Sequence, residues 1–121
     1  STVVTLSSGA AIGGSPISGG YAGAKAMVRF ATAYAAEESR RAGLGIRFAS
    51  LLPTLTPATD LGLGAVTGYA ARAGVDVETH LSRLGPVLTP DQVGAAVLEL
   101  AATAEPHPAY RLGPDGLSPL G

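Results

Sequence analysis

Tyr21 and Lys25 are the pair in this chain whose types and spacing could do chemistry. Lys25 is the one lysine in 121 residues, and the other seven basic side chains are arginine. Four apart on a helix, the two side chains share a face. A phenol is a poor acid near neutral pH, but an adjacent ammonium favours the phenolate, so a tyrosine paired with a lysine can exchange protons with a bound molecule. Arginine would supply the charge with a different geometry. The same spacing also occurs on ordinary exposed helix faces, so the motif takes its meaning from its surroundings.

The elements that must position the pair can be read on either side of it. Ser1 to Ser8 is a β-rich stretch in which Val3, Val4 and Leu6 form a run too short for a helix and suited to a buried parallel strand. It ends in hydroxyls at Ser7 and Ser8. A Gly/Ser/Pro loop follows from Gly9 to Gly20, and a helix then carries Tyr21 and Lys25. The loop could pass for a phosphate-binding glycine turn. Against that, G-x-G-x-x-G spacing is absent, Pro16 and more loop stand where a helix should open, and no acidic residue lies about 20 positions on. A substrate-side loop is the better reading.

Strand, Ser8, loop, Tyr21 and Lys25, with Ser8 thirteen positions before Tyr21, resembles the catalytic segment of the short-chain dehydrogenase/reductase family. The resemblance continues through Gly45-Ile46-Arg47-Phe48-Ala49-Ser50-Leu51-Leu52-Pro53 and Leu88-Thr89-Pro90-Asp91-Gln92-Val93 to Asp115-Gly116. It spans nearly the whole chain but only the C-terminal half of the family's domain. It implies an NAD(P)-dependent oxidoreductase that interconverts a carbonyl and an alcohol. Tyr21 would be the general acid/base, Lys25 would support it and hold the nicotinamide ribose, and Ser8 would hydrogen-bond the substrate oxygen. Tyr21, Lys25, Pro53, Thr54 and Thr56 are the cofactor-side positions. The family has Pro-Gly where this chain has Pro53-Thr54. Thr54, Thr56 and Thr59 could supply hydroxyls, or serve as turn residues around Pro57 with a helix cap at Thr59 or Asp60.

Composition bounds the function. With 46% hydrophobic and 14% charged residues, 121 residues make one globular domain with a modest core. A net charge of −1 gives no electrostatic reason to bind nucleic acid or an acidic membrane. There are no cysteines, which excludes disulfides and thiolate metal sites and suits the cytoplasm. No apolar run reaches the roughly 18 residues of a membrane helix. His80 and His107 are far apart and outside any ligand-spaced cluster, so no metal is expected. Ser8 is not in G-x-S-x-G, which argues against a serine hydrolase. The start at Ser1, directly in a strand and without Met, suggests a truncated or processed polypeptide.

The helix from about Gly20 to Ala42 has apolar residues at Ala22, Ala26, Met27, Phe30, Ala31, Ala33 and Tyr34, more than one stripe, so it is expected to be buried on two sides. One side would pack on the sheet, and in the resembled family this helix lies in a subunit interface. Phe30 and Tyr34 read as core or interface. Glu37 and Arg41 are spaced for an ion pair, and Gly43 stops the helix. Ile46 to Leu52 is the next strand. Two short helices, Leu61 to Ala73 and Asp76 to Leu84, follow, with Asp76 as cap and Gly85 as stop. In the resembled family residues 60–85 form a helical substrate lobe, whose Leu61, Leu63, Val66 and Tyr69 would line a pocket or pack on the sheet. Thr89-Pro90-Asp91-Gln92 is a capping-box helix start, and Ala109 to Leu112 a last short strand closed by Gly113-Pro114-Asp115-Gly116.

The expected fold is therefore α/β: parallel strands with right-handed crossovers. By resemblance, residues 1–121 are a single partial domain, the C-terminal half of a Rossmann-like doubly wound sheet, with three strands, flanking helices and the helical lobe. The family's glycine-rich dinucleotide loop is absent, so NAD and NADP stay open as cofactor. Expected partners are a small carbonyl or alcohol compound and either further copies of the chain or a complementary N-terminal half. The alternative is a non-catalytic fragment or interaction module that lacks a cofactor site.

Overall fold

The computed structural model describes residues 1–14, 17–54, 60–84 and 86–120. Strand β1 (Thr2–Leu6) leads through one helical turn, α1 (Ala10–Gly13), to the long helix α2 (Gly19–Ala42) and strand β2 (Arg47–Pro53). Helices α3 (Asp60–Ala73), α4 (Val77–Leu84) and α5 (Pro90–Ala102) follow, then strands β3 (Ala109–Gly113) and β4 (Gly116–Leu120).

The fold is α/β with one open, mostly parallel sheet in the order β1-β2-β3-β4. Val4 lies opposite Ala49 and Leu51 opposite Tyr110 in the two parallel pairs, and β4 returns antiparallel to β3. Three strands were expected and the described residues form four. Gly113 pairs with Gly116 across the two-residue loop Pro114-Asp115, and Gly116 takes φ of 116°, a backbone that favours glycine. β4 contains Pro119, which has no N–H for a ladder and is tolerated because β4 is an edge strand.

Successive strand residues point to opposite faces, and here the two faces carry different helices. On one, Ala49, Leu51, Tyr110 and Leu112 gather with Leu88, Ala96 and Leu100 into the core, and Val4 packs against them. Leu51, Leu88 and Leu100 are buried almost completely, each contributing about 1.5–3 kcal/mol by leaving water. On the other face, the Thr5 hydroxyl meets that of Thr32 in α2 at 2.7 Å, and the Ser7 hydroxyl donates to the Lys25 carbonyl at 2.6 Å. The sheet thus lies between α2 and α5. The chain steps the same way across the sheet from β1 to β2 and from β2 to β3, so connections on opposite faces have opposite hand. The expectation of two right-handed crossovers is therefore corrected. The rule rests on a helix packing straight back onto a twisted sheet. Here α2 and α5 both pack on the sheet but on opposite faces, which is why the two hands differ.

Local signals set the helix ends. Thr89 and Gln92 form the full capping box of α5, with the Gln92 N–H donating to the Thr89 hydroxyl at 3.3 Å and the Gln92 side chain accepting from the Thr89 N–H at 2.8 Å. Asp76 accepts from the Thr79 N–H at 2.6 Å ahead of α4, and hydrogen bonds from Thr79 hold its carboxyl below the usual value. α2 ends at Gly43 with φ of 64°. Glu37 pairs with Arg40 at 2.6 Å, three residues on, where the sequence suggested Arg41. The Arg40 hydrogen bond lowers the Glu37 carboxyl.

The buried residues of α2 are Ala22, Thr32 and Ser39. Roughly opposite them at 3.6 residues per turn lie Met27, Phe30 and Tyr34, which are 73%, 72% and 61% exposed. The Phe30 and Tyr34 rings stack with centroids 6.2 Å apart. The second side of this helix, expected to be buried, is open in the single chain. No helix among the described residues is long and apolar enough to cross a membrane.

Candidate functional site

The site is built where the parallel strands end. The Ser7 N–H donates to the Leu51 carbonyl at 2.8 Å, that of Gly9 to Pro53 at 2.9 Å, and that of Thr54 to Leu112 at 2.9 Å. These bonds carry the sheet's ladder past the strand ends and align the first residues of two outgoing loops. Above them opens a cleft of about 1040 Å³ at the carboxyl ends of the strands, the usual ligand position in open α/β sheets.

Ser8, Tyr21, Pro53 and Thr54 all line this cleft. Lys25 lies beside it. Its ammonium donates to the Leu6 carbonyl at 3.1 Å and stands 5.7 Å from the centre of the Tyr21 ring. The i, i+4 spacing on α2 thus brings lysine and tyrosine together as a cation over a ring face, a contact worth about 0.5–1 kcal/mol at an exposed site. The Ser8 hydroxyl accepts from the Ala10 N–H at 3.2 Å, which starts α1, and its own proton remains available to a molecule in the cleft.

Ser7 was not anticipated as a site residue. Its buried hydroxyl donates to the Lys25 carbonyl, tying the end of β1 to the helix turn that carries the pair. The hydroxyl-rich end of the strand was the available signal. Thr56 and Thr59, and Gly85 as a helix stop, lie outside the described residues. In the helical lobe, Val66 is fully buried and Leu63 is exposed, while Tyr69 lines the cleft beside Gly62, Gly64 and Ala65. The remaining wall comes from the loop after β1 and from the start of α5, including Ile12, Ile17 and Val93. Arg111 of β3 is the only charged side chain among the described lining residues.

A cofactor can be tested against these groups. Tyr21, Pro53, Thr54 and Ser8 converge on one cleft and offer a phenol and two hydroxyls, a set that fits the ring end of a nicotinamide nucleotide. Among the described residues no strand runs through G-x-G-x-x-G into a helix, the usual cradle for the diphosphate.

No protein-family model matches this chain, and no curated protein matches it.

Proposed function

We propose that this chain is the catalytic part of an NAD(P)-dependent oxidoreductase of the short-chain dehydrogenase/reductase type, interconverting a carbonyl and an alcohol. The observation that carries the reading is that Ser8 and Tyr21 open onto one cleft at the strand ends while Lys25 is held against the Tyr21 ring. Helices on both faces of a mostly parallel sheet support a Rossmann-like, doubly wound fold, of which this would be the C-terminal half. Among the described residues β1 is an edge strand with β2 as its one neighbour, so further strands can add there, from a complementary N-terminal half.

In the reducing direction the Tyr21 hydroxyl gives its proton to the carbonyl oxygen, and the Ser8 hydroxyl donates a hydrogen bond to the same oxygen as negative charge grows on it. The Lys25 ammonium stabilises the tyrosinate left behind. Pro53, Thr54 and Tyr21 would hold the nicotinamide end, and Lys25 the ribose, NAD or NADP serving equally on present grounds. When bound, the cofactor supplies or accepts the hydride. The exposed Met27, Phe30 and Tyr34 stripe would seat a second copy of the chain. The absence of cysteine fits a cytoplasmic setting.

The test is Tyr21→Phe in a preparation competent for NAD(P)H turnover, complemented by an N-terminal half if required. Turnover followed by nicotinamide absorbance should fall by about 10²–10⁴-fold with the melting temperature unchanged. Turnover retained by the variant refutes the assignment.

A second reading, a non-catalytic interaction module, is favoured by one observation: the Lys25 ammonium and the Ser8 oxygen both bond the chain itself, at Leu6 and Ala10. Titration with NADH and NADPH, followed by their own fluorescence, separates the two. Saturable binding excludes a module without a cofactor site.

A further inference from the structure

We propose that Arg111 makes the cleft an anion-recognising site, and that the compound whose carbonyl meets Tyr21 carries a carboxylate at its other end. The inference deepens the oxidoreductase reading and rests on it for the carbonyl, while the anion site itself rests on the cleft. Arg111 sits in the middle of β3, opposite Leu52, is exposed, and is the only charged side chain among the described residues lining the cleft. Among the described residues its side chain has no hydrogen-bond or ion-pair partner. Arg40 bonds Glu37 and Arg47 the Ala104 carbonyl, while among the described residues Arg29, Arg41, Arg72 and Arg83 lack such a partner, as Arg111 does; what sets Arg111 apart is its place in the cleft. Asp115 shares with Arg111 and Thr54 an adjoining hollow of about 290 Å³ but forms no ion pair with it.

A guanidinium offers a planar fork that matches a carboxylate with two parallel hydrogen bonds. One cation balances one charge, which favours a carboxylate over a phosphate, whose sites usually add backbone N–H groups at a helix start. β1 and β3 are two strand spacings apart, about 10 Å, so the carbonyl beside Ser8 and the anion beside Arg111 are separated by several bonds. Much of the remaining wall is apolar, with Ile12, Ile17, Ala65 and Val93. The substrate class is therefore an oxo acid with a hydrophobic body, its carbonyl remote from its carboxylate.

The test is calorimetric titration of the 121-residue chain with 8-oxononanoate, whose extended apolar chain can span that separation, and with its uncharged methyl ester. The acid should bind about tenfold more tightly, the scale of a charge-assisted hydrogen bond at an exposed site. Arg111→Gln should bring the acid down to the level of the ester, and Arg111→Lys should retain part of the preference, with circular dichroism reporting that both variants are folded. Acid and ester that bind alike or not at all, or a preference that survives Arg111→Gln, overturn the proposal. Inorganic phosphate displacing the acid at lower concentration overturns it in favour of a phosphate site. The readout involves no hydride transfer. A carboxylate preference lost in Arg111→Gln, in a protein whose turnover ignores Tyr21, would remove the oxidoreductase reading alone; equal binding where turnover needs Tyr21 would remove the anion site alone.

Discussion

The two hydroxyls joining β1 to α2 make a sharp energetic prediction, because their protons can be assigned. The Thr32 hydroxyl donates to the Val28 carbonyl at 2.7 Å, which uses its single proton. In the 2.7 Å contact with Thr5, the Thr5 hydroxyl must therefore be the donor. Thr5→Val removes that donor and leaves the Thr32 hydroxyl still donating, at a cost of about 1 kcal/mol. Thr32→Val strands the proton of the half-buried Thr5 beneath α2 and should cost about 2 kcal/mol, since a donor shielded by the helix and left unpaired loses hydration with little return. With both residues valine no polar group is left unpaired, and the double variant should lie within about 1 kcal/mol of the parent. The sum of the single effects then exceeds the double effect by about 2 kcal/mol, well above the 0.3–0.5 kcal/mol scatter of independent sites. Urea unfolding of the four proteins measures it. Additive effects, or a Thr5→Val variant that is the less stable of the singles, would refute both the proton assignment and this account of how α2 is held beside Ser8.

Two further outcomes are expected. Hydrogen bonds from Thr79 lower the Asp76 carboxyl in the folded chain, so its stabilising effect is present above the unfolded value of 3.8 and is lost as pH falls through the folded value. Helical circular dichroism of the parent should therefore decline more on acidification than that of Asp76→Asn, whose amide oxygen caps without titrating; identical pH profiles would show that Asp76 does not couple to α4. Phe30→Glu places a charge in the middle of the exposed stripe on α2 and should convert a self-associating chain to monomers in sedimentation equilibrium, with unfolding little changed, and a parent that is monomeric at all concentrations would remove the self-association proposal.

What could be read from the sequence was set by how far apart the interacting residues lie. The capping box at Thr89 and Gln92, the Asp76 cap and the Gly43 stop each involve a few successive residues, and each formed as its pattern predicts. The Glu37 pair fell one residue short because i+3 and i+4 are both neighbours on a helix and only the local rotamers choose between them. β4 was hidden by Gly116 and Pro119, residues poor in strand preference that are held by pairing with β3. The hand of the connections was beyond reach as well, since it depends on which face α5 returns along, a matter settled by the placement of Leu88, Ala96 and Leu100 in the core.

The candidate site divides along the same line. Ser8, Tyr21 and Lys25 lie within one strand–loop–helix unit, so their approach is legible from spacing alone. Arg111 enters the cleft only because β3 pairs with β2 and sets it opposite Leu52, more than fifty residues earlier in the chain. Tyr69 and Val93 arrive from helices whose positions depend on the packed core. Under the proposed function, proton-handling groups are local in sequence and substrate-selecting groups are assembled by the tertiary fold. A chain of this design can therefore change what it binds, through substitutions in α3, α5 or β3, without disturbing the Ser7 and Thr5 bonds that hold Tyr21 and Lys25 against β1.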